Sequence, residues 1–360
     1  MGAFSWLAML AGAALLVTTL ADVLLAVLHA DKSAPVSTTL QRLVWRACLA
    51  AARRWPRLRR PLVALAGPLM IAMTFVSWTL LFIVGFALLY WPHLHLFRAE
   101  PEITTLGFIE ALYYSGVTSS VLGYGDITPL APLPRMLAIV QSSLGFALIT
   151  GIVTYLITVV SGVAERNALA TRIRLASGGT SDGVQLVIRC LGIESVSDFR
   201  SRLQGIVVAQ QNMLEKMLQF PVLDLYHRSR DPQRDPEPLL AAVADLALAC
   251  RIVARRDELR SLQPLAEELQ LTAEASMEGV LAQLRRSQRA RREAAEPTPE
   301  DEANVERIRQ RLAERFGPEP AELDRQLATE LVRFAARSRS CLAELDQITG
   351  WKADHHNGAG

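Results

Sequence analysis

The chain has 360 residues, of which 51% are hydrophobic, and 38 Lys and Arg nearly balance 36 Asp and Glu for a net charge of +2. That balance excludes a strongly basic nucleic-acid binder, and the apolar content excludes a disordered, highly charged chain. The averages hide an asymmetry: most apolar residues precede Ala164 and most charge follows it, which predicts a membrane half and then a soluble half.

The first long apolar stretch runs from about Phe4 to Leu28 and carries a single charge, Asp22. A bilayer-spanning helix needs about 20 apolar residues, and this stretch exceeds that. A signal peptide is the competing reading, but the run is too long for an apolar signal core and no basic residue precedes it. Asp22 is expensive inside a membrane and so a functional candidate by default. Its place near the arginine-rich loop favours a structural salt bridge or snorkelling.

That loop holds Lys32, Arg42, Arg46, Arg53, Arg54, Arg57, Arg59 and Arg60 against Asp31 alone. The positive-inside rule places it in the cytoplasm. Leu40, Leu43, Val44, Ala47 and Ala51 recur at helical spacing, which predicts an amphipathic helix on the inner leaflet. Arg54, Arg57 and Arg60 are three apart, the spacing of a voltage sensor, yet Pro56 interrupts them and no apolar span contains them. The second span, Pro61 to Trp91, has no charge, and Pro68 marks the expected start of its helix proper. His93 and His95 follow it, beside Trp91. A pH sensor is one reading of them and interfacial packing the better one.

Between the second and third spans the chain reads Thr104-Thr105-Leu-Gly-Phe-Ile-Glu110-Ala-Leu-Tyr113-Tyr114-Ser-Gly-Val-Thr118-Ser-Ser120-Val121-Leu122-Gly123-Tyr124-Gly125-Asp126-Ile-Thr-Pro129. The part up to Ser120 is apolar but too short to cross a membrane. Thr104 or Thr105 is placed to cap it, and Glu110 is an acid in its first turns, so it reads as a short re-entrant helix. Gly123-Tyr124-Gly125-Asp126 follows at once. Irregular backbone at membrane depth survives only inside protein or along a water-filled path. Glycines flanking a tyrosine let successive carbonyls turn the same way, and four such strands around an axis make rings of oxygen that replace an ion's water shell.

The third span, Met136 to Ala164, is again uncharged, and Arg166, Arg172 and Arg174 follow it. The three spans together predict an N-terminus outside and a C-terminus inside.

This arrangement resembles the bacterial potassium channel pore family, in which one pore loop lies between two transmembrane helices. The resemblance covers about Pro61 to Arg166; the helix before it is an addition. It implies that Val121, Leu122, Gly123, Tyr124 and Gly125 form the selectivity filter, with potassium ions as the permeant species at their carbonyls. It implies filter support from Tyr114, Thr118, Ser120 and Asp126, with Tyr114 placed to hydrogen-bond Asp126 and Tyr113 its aromatic neighbour. It puts the inner-helix hinge at Gly145, and Gly151 is a second candidate bend. Valine stands at 121 where the family usually has threonine, so the innermost ion site loses a hydroxyl oxygen. Leu122 is expected to pack behind the filter. Below Gly145, Ile149, Val153 and Ile157 recur every fourth residue as a candidate pore-lining stripe.

After Ala164 the composition turns helical. Ser177 to Gly183 reads as a flexible break. Helices follow near 198–219, 237–260, 263–293, 300–316 and 319–348, and the apolar run Leu239 to Val253 is expected at the centre of a bundle. The basic cluster Arg285 to Arg292 reads as a solvated helix face, and His355 and His356 lie in a tail. Cys48, Cys190, Cys250 and Cys341 have no metal-ligand spacing and are expected to be buried or half-buried thiols in a reducing compartment.

The expectation is an all-α membrane protein: three transmembrane helices, a re-entrant pore helix and filter loop, and a cytoplasmic helical domain. Its domains are 1–30 for the first helix, 31–61 for the interfacial helix, 62–166 for the pore and 167–360 for the cytoplasmic part. Its function is a passive potassium-selective or potassium-preferring channel in a bacterial inner membrane. Closed carbonyl rings require three further copies of the chain. No catalytic residues or cofactor are expected, nor a nucleic-acid partner, and the cytoplasmic domain leaves room for an unknown ligand or protein. A weakly selective cation channel and a non-conducting scaffold or sensor are the alternatives.

Overall fold

A computed structural model describes residues 3–28, 35–101, 105–219, 231–287, 296–318 and 325–349. Lys32, Thr104, Arg291, Arg292, His355 and His356 lie outside the described residues. The described residues are almost wholly helical, and three of the helices among them are long and apolar enough to cross a membrane. It divides into two compact units, residues 1–50 with 68–159, and residues 51–67 with 160–360.

The first unit begins with α1 (Ala3–Leu28), which is apolar on nearly all sides, as a lipid-facing helix must be. The amphipathic α2 (Pro35–Arg54) follows. Its buried side carries Ser37, Val44, Trp45 and Cys48, whereas Leu43 and Ala47 stand exposed among Arg42 and Arg46. The expected apolar stripe is therefore split between two faces, because Trp45 competes successfully for the interior. The outer helix α3 (Arg59–Tyr90) starts nine residues before Pro68, not at it. The proline sits inside the helix, where it removes one backbone donor.

Helix α1 packs on α3 where Gly12 meets Gly85. A Cβ on Gly12 would lie 2.6 Å from the Gly85 carbonyl oxygen, so only glycine permits this backbone approach. A 3₁₀ turn, Trp91–Leu96, leads into β1 (Phe97–Ala99), which pairs antiparallel with β2 (Ile127–Pro129) in the register Phe97 to Pro129. Between the two strands lies the pore helix α4 (Phe108–Ser119), and after them comes the inner helix α5 (Pro132–Ala176). The core of this unit is aromatic: Trp78, Phe82, Phe86, Tyr90, Phe97 and Tyr114 are all buried.

The second unit is a helical bundle. Among the described residues its helices are α6 (Gly183–Ile193), α7 (Val196–Gln219), α8 (Pro236–Val253), α9 (Gln263–Ser287), α10 (Pro299–Phe316) and α11 (Arg325–Thr349). Helix α8 is buried on every side and packs against α6, α9, α10 and α11, as its all-round apolar sequence requires. Arg251 leaves this core at one edge, pairing with Glu267 at 2.6 Å and Glu330 at 3.2 Å. Helix α6 falls where the sequence pattern gave a break and then nothing until 198. Asp182 starts it by accepting the Gln185 amide at 3.0 Å, and Arg311 of α10 holds the same carboxylate at 2.7 Å. The four cysteines are free and buried, as expected.

Candidate ion pore

The pore helix is fixed at its start by its own first turn. The N-cap is Gly107, and the Glu110 carboxylate accepts the Gly107 amide at 2.7 Å. Thr105 does not cap the helix. Phe108 meets Trp91 edge-on at 5.1 Å, and Trp91 meets Phe4 of α1 at 5.2 Å. The helix preceding the pore module thus braces the entrance of the pore helix.

The two adjacent tyrosines divide the work in the opposite sense from the resemblance. Tyr113 donates its hydroxyl to Asp126 at 2.7 Å. Tyr114 instead turns inward, edge-on to Tyr90 and Phe97 at 5.0 Å each. Successive helix residues point about 100° apart, so only one of the pair can face the filter exit. Asp126 is held further by the strand pair behind it. Its carbonyl accepts the Glu100 amide at 3.0 Å, and the Leu130 amide reaches Leu96 O at 2.8 Å.

At its other end the pore helix stops in a six-residue hydrogen-bonded turn. The Leu122 amide donates to Val117 O at 3.1 Å and the Val121 amide to Thr118 O at 3.2 Å. This pairing needs a left-handed residue at 121, a slot glycine usually fills. Here it is a β-branched valine with φ 59°. Such a backbone costs about 1–2 kcal/mol for a residue with a Cβ. Gly123 at φ 60° and Gly125 at φ 81° follow, while Leu122 and Tyr124 keep negative φ. The sign of φ therefore alternates along all five residues. Within one chain the filter is open: Leu122 is 59% exposed and Tyr124 66%, so nothing in the same chain covers Leu122 from behind.

A buried polar seam backs the base of the filter. Gln141 of α5 donates to the hydroxyls of Ser115 and Ser119 of α4, each at 2.7 Å. Ser115 in turn donates to Ile83 O of α3 at 2.7 Å. One turn further along α5, a Cβ on Gly145 would lie 2.5 Å from Ser119 O. Gly145 thus has a packing requirement, and α5 is unbroken through it. Gly151 has no neighbour within 4 Å of its would-be Cβ. Ile149, Val153 and Ile157 all stand exposed on α5. Gln141 is the single side-chain amide in the third apolar span, which is the signal the sequence carries for this seam.

Asp22 is 1% exposed, and its partners are not arginines. One carboxylate oxygen accepts the Val36 amide at 2.9 Å. The other accepts the Ser37 amide at 3.1 Å, the Ser37 hydroxyl, and the Trp78 indole N–H at 2.9 Å. Val36 and Ser37 are the second and third residues of α2. Asp22 thus caps α2 from α1 and ties it to α3, in place of the expected salt bridge. His93 is buried, with Nδ1 3.1 Å from Leu89 O, and His95 is exposed. Among the described residues no group of three or more His, Cys, Asp or Glu is placed to hold a metal ion.

Residues 69–162, which span the outer helix, pore helix, filter and most of the inner helix, match the family model described as Ion channel. The segment belongs to the ion channel family. The channel domain is the two-helix, potassium channel-type pore, and α1 is additional to it. The chain is also 28% identical over 244 residues to "Uncharacterized membrane protein YdjJ" of Bacillus subtilis (strain 168), covering 66% of this chain and 68% of that protein. No solved structure gives a significant match. The chain is thus a membrane protein with an ion channel domain.

Proposed function

We propose that four copies of the chain form a potassium-preferring channel. The observation that carries this reading is the alternation of φ sign through Val121, Leu122, Gly123, Tyr124 and Gly125. Alternating handedness turns successive carbonyls to one side, where an ordinary strand turns them to opposite sides. A single copy leaves these carbonyls uncovered at membrane depth, which lipid does not tolerate. Three further copies around an axis close them into rings that replace the hydration shell of a potassium ion. Asp126 stands at the outer mouth and raises the local cation concentration. The negative C-terminal end of α4 adds to the same field. The basic α2 lies on the cytoplasmic face, with the N-terminus of α1 outside and the helical bundle inside.

The innermost ring favours a second, less selective variant of the same reading. Val121 supplies a carbonyl but no hydroxyl, and its amide is spent on the pore helix. Flux from potassium-loaded liposomes into sodium medium separates the two. Rapid potassium efflux blocked by barium supports the potassium-preferring channel. Equal sodium and potassium fluxes support the weakly selective one. No flux from wild type, nor from variants altered at Gly145 or in the bundle, refutes both and leaves a scaffold or sensor.

A further inference from the structure

We infer that Gln141 is a positioning residue that ties the inner helix to the base of the filter, and that ion selectivity depends on this tie. The inference rests on the channel reading above. Gln141 and Gly145 are four apart on α5; Ser115 and Ser119 are four apart on α4. Four-residue spacing puts each pair on one helix face, so the two helices meet along matched stripes. All three polar side chains are buried: Ser115 and Gln141 are 0% exposed and Ser119 is 7%.

The protons assign themselves. Ser115 spends its hydroxyl proton on Ile83 O, and Ser119 spends its own on Ser115 O at 2.8 Å. Both hydroxyl oxygens are then acceptors, and the Gln141 amide meets each at 2.7 Å, with the Ser115 carbonyl oxygen a third acceptor at 2.9 Å. The seam therefore runs in one direction, from inner helix through pore helix to outer helix. Ser119 is two residues before the strained Val121, and Thr118 O accepts the Val121 amide. A shift of α5 at Gln141 or Gly145 thus reaches the first filter residue through one hydrogen bond and one backbone contact. Serine at 115 and 119 alone would complete its own bonds without Gln141. The amide adds the link between helices and nothing else.

This makes Gln141→Leu a clean probe. Leucine keeps the approximate bulk and leaves both serine protons paired, so no buried donor is orphaned. The experiment compares wild type, Gln141→Leu, and Gln141→Leu combined with Ser115→Ala and Ser119→Ala in liposomes. It reads the potassium-to-sodium permeability ratio, barium block, and the melting temperature of the purified protein. The expected result is a permeability ratio lowered by roughly fivefold or more in Gln141→Leu, with weaker barium block, an unchanged melting temperature, and no further fall in ratio on removing the serine hydroxyls. A ratio and block within about twofold of wild type in Gln141→Leu would overturn the inference. If wild type passes no ions, the channel reading fails separately. The tie is then decided by amide hydrogen exchange at residues 119–122: about tenfold faster exchange in Gln141→Leu upholds it, and unchanged exchange sinks it.

Discussion

Asp22→Ala is the most demanding test of how the membrane unit is assembled. The substitution removes the acceptor for four donors: two amides of α2, the Ser37 hydroxyl and the Trp78 indole. Losing an N-cap costs about 1 kcal/mol. The two amides sit at a helix end and regain water once that end loosens. The indole does not, because Trp78 is 0% exposed, and an orphaned buried donor costs about 1–3 kcal/mol. The expected loss is therefore roughly 3 kcal/mol, about a third of it local to α2 and the rest at the Trp78 contact of α3. Asp22→Asn keeps one accepting oxygen but turns an N–H₂ toward donors, so it should lose about half as much. Thermal unfolding gives the global change. Tryptic cutting at Arg42 and Arg46, both exposed on α2, gives the local one. Salt discriminates the cap from the salt bridge expected from sequence. Raising ionic strength from about 0.1 to 1 M shortens the Debye length from about 10 to 3 Å, yet a buried, hydrogen-bonded carboxylate should be insensitive to it. If Asp22→Ala melts within about 1 kcal/mol of wild type and α2 is cut no faster, the capping role is wrong.

Three further outcomes follow from the same geometry. Tyr113→Phe should weaken barium block and shorten sustained potassium flux by freeing Asp126, whereas Tyr114→Phe, which keeps every ring contact, should leave both within about twofold; the reverse order would restore the assignment made from resemblance. Gly145→Ala should lower the melting temperature and disturb the filter because its Cβ meets Ser119 O at 2.5 Å, while Gly151→Ala should be neutral or stabilise the helix by up to about 1 kcal/mol; equal tolerance at both sites would refute the packing role. In the bundle, burial first and then the neighbouring Asp182 push the Asp245 carboxyl up to about 7, with Arg311 and Arg307 opposing. The folded chain thus holds a proton that the unfolded chain releases near pH 4, so this contribution to stability is full below that pH and is lost as pH rises through about 7. Asp245→Asn should flatten that slope in thermal unfolding across the window, and an unchanged slope would show that Asp245 is not its source.

Much of the architecture was legible because membrane burial imposes one-dimensional rules. A span must be about 20 apolar residues, charge must flank it, and irregular backbone must be protected. Those rules located α1, α3, α5 and the short helix α4 from residue types alone, and the all-round apolar run of α8 declared its own burial. The bundle was less legible at α6, whose run of only 11 residues sits directly after a glycine-rich break.

What the sequence determined, then, was which segments are long and apolar enough to cross a membrane and where the channel-type domain lies, since composition and local spacing suffice for both. The tertiary structure decided the partners of single side chains. Which of two adjacent tyrosines reaches Asp126 depends on the rotation of α4 about its axis. Whether Asp22 meets an arginine or a helix start depends on where α2 begins. Gln141 gains its importance only because two serines on another helix have already spent their protons. Hydrogen bonds act over about 3 Å, and sequence patterns fix positions only to a helical turn of about 5.4 Å.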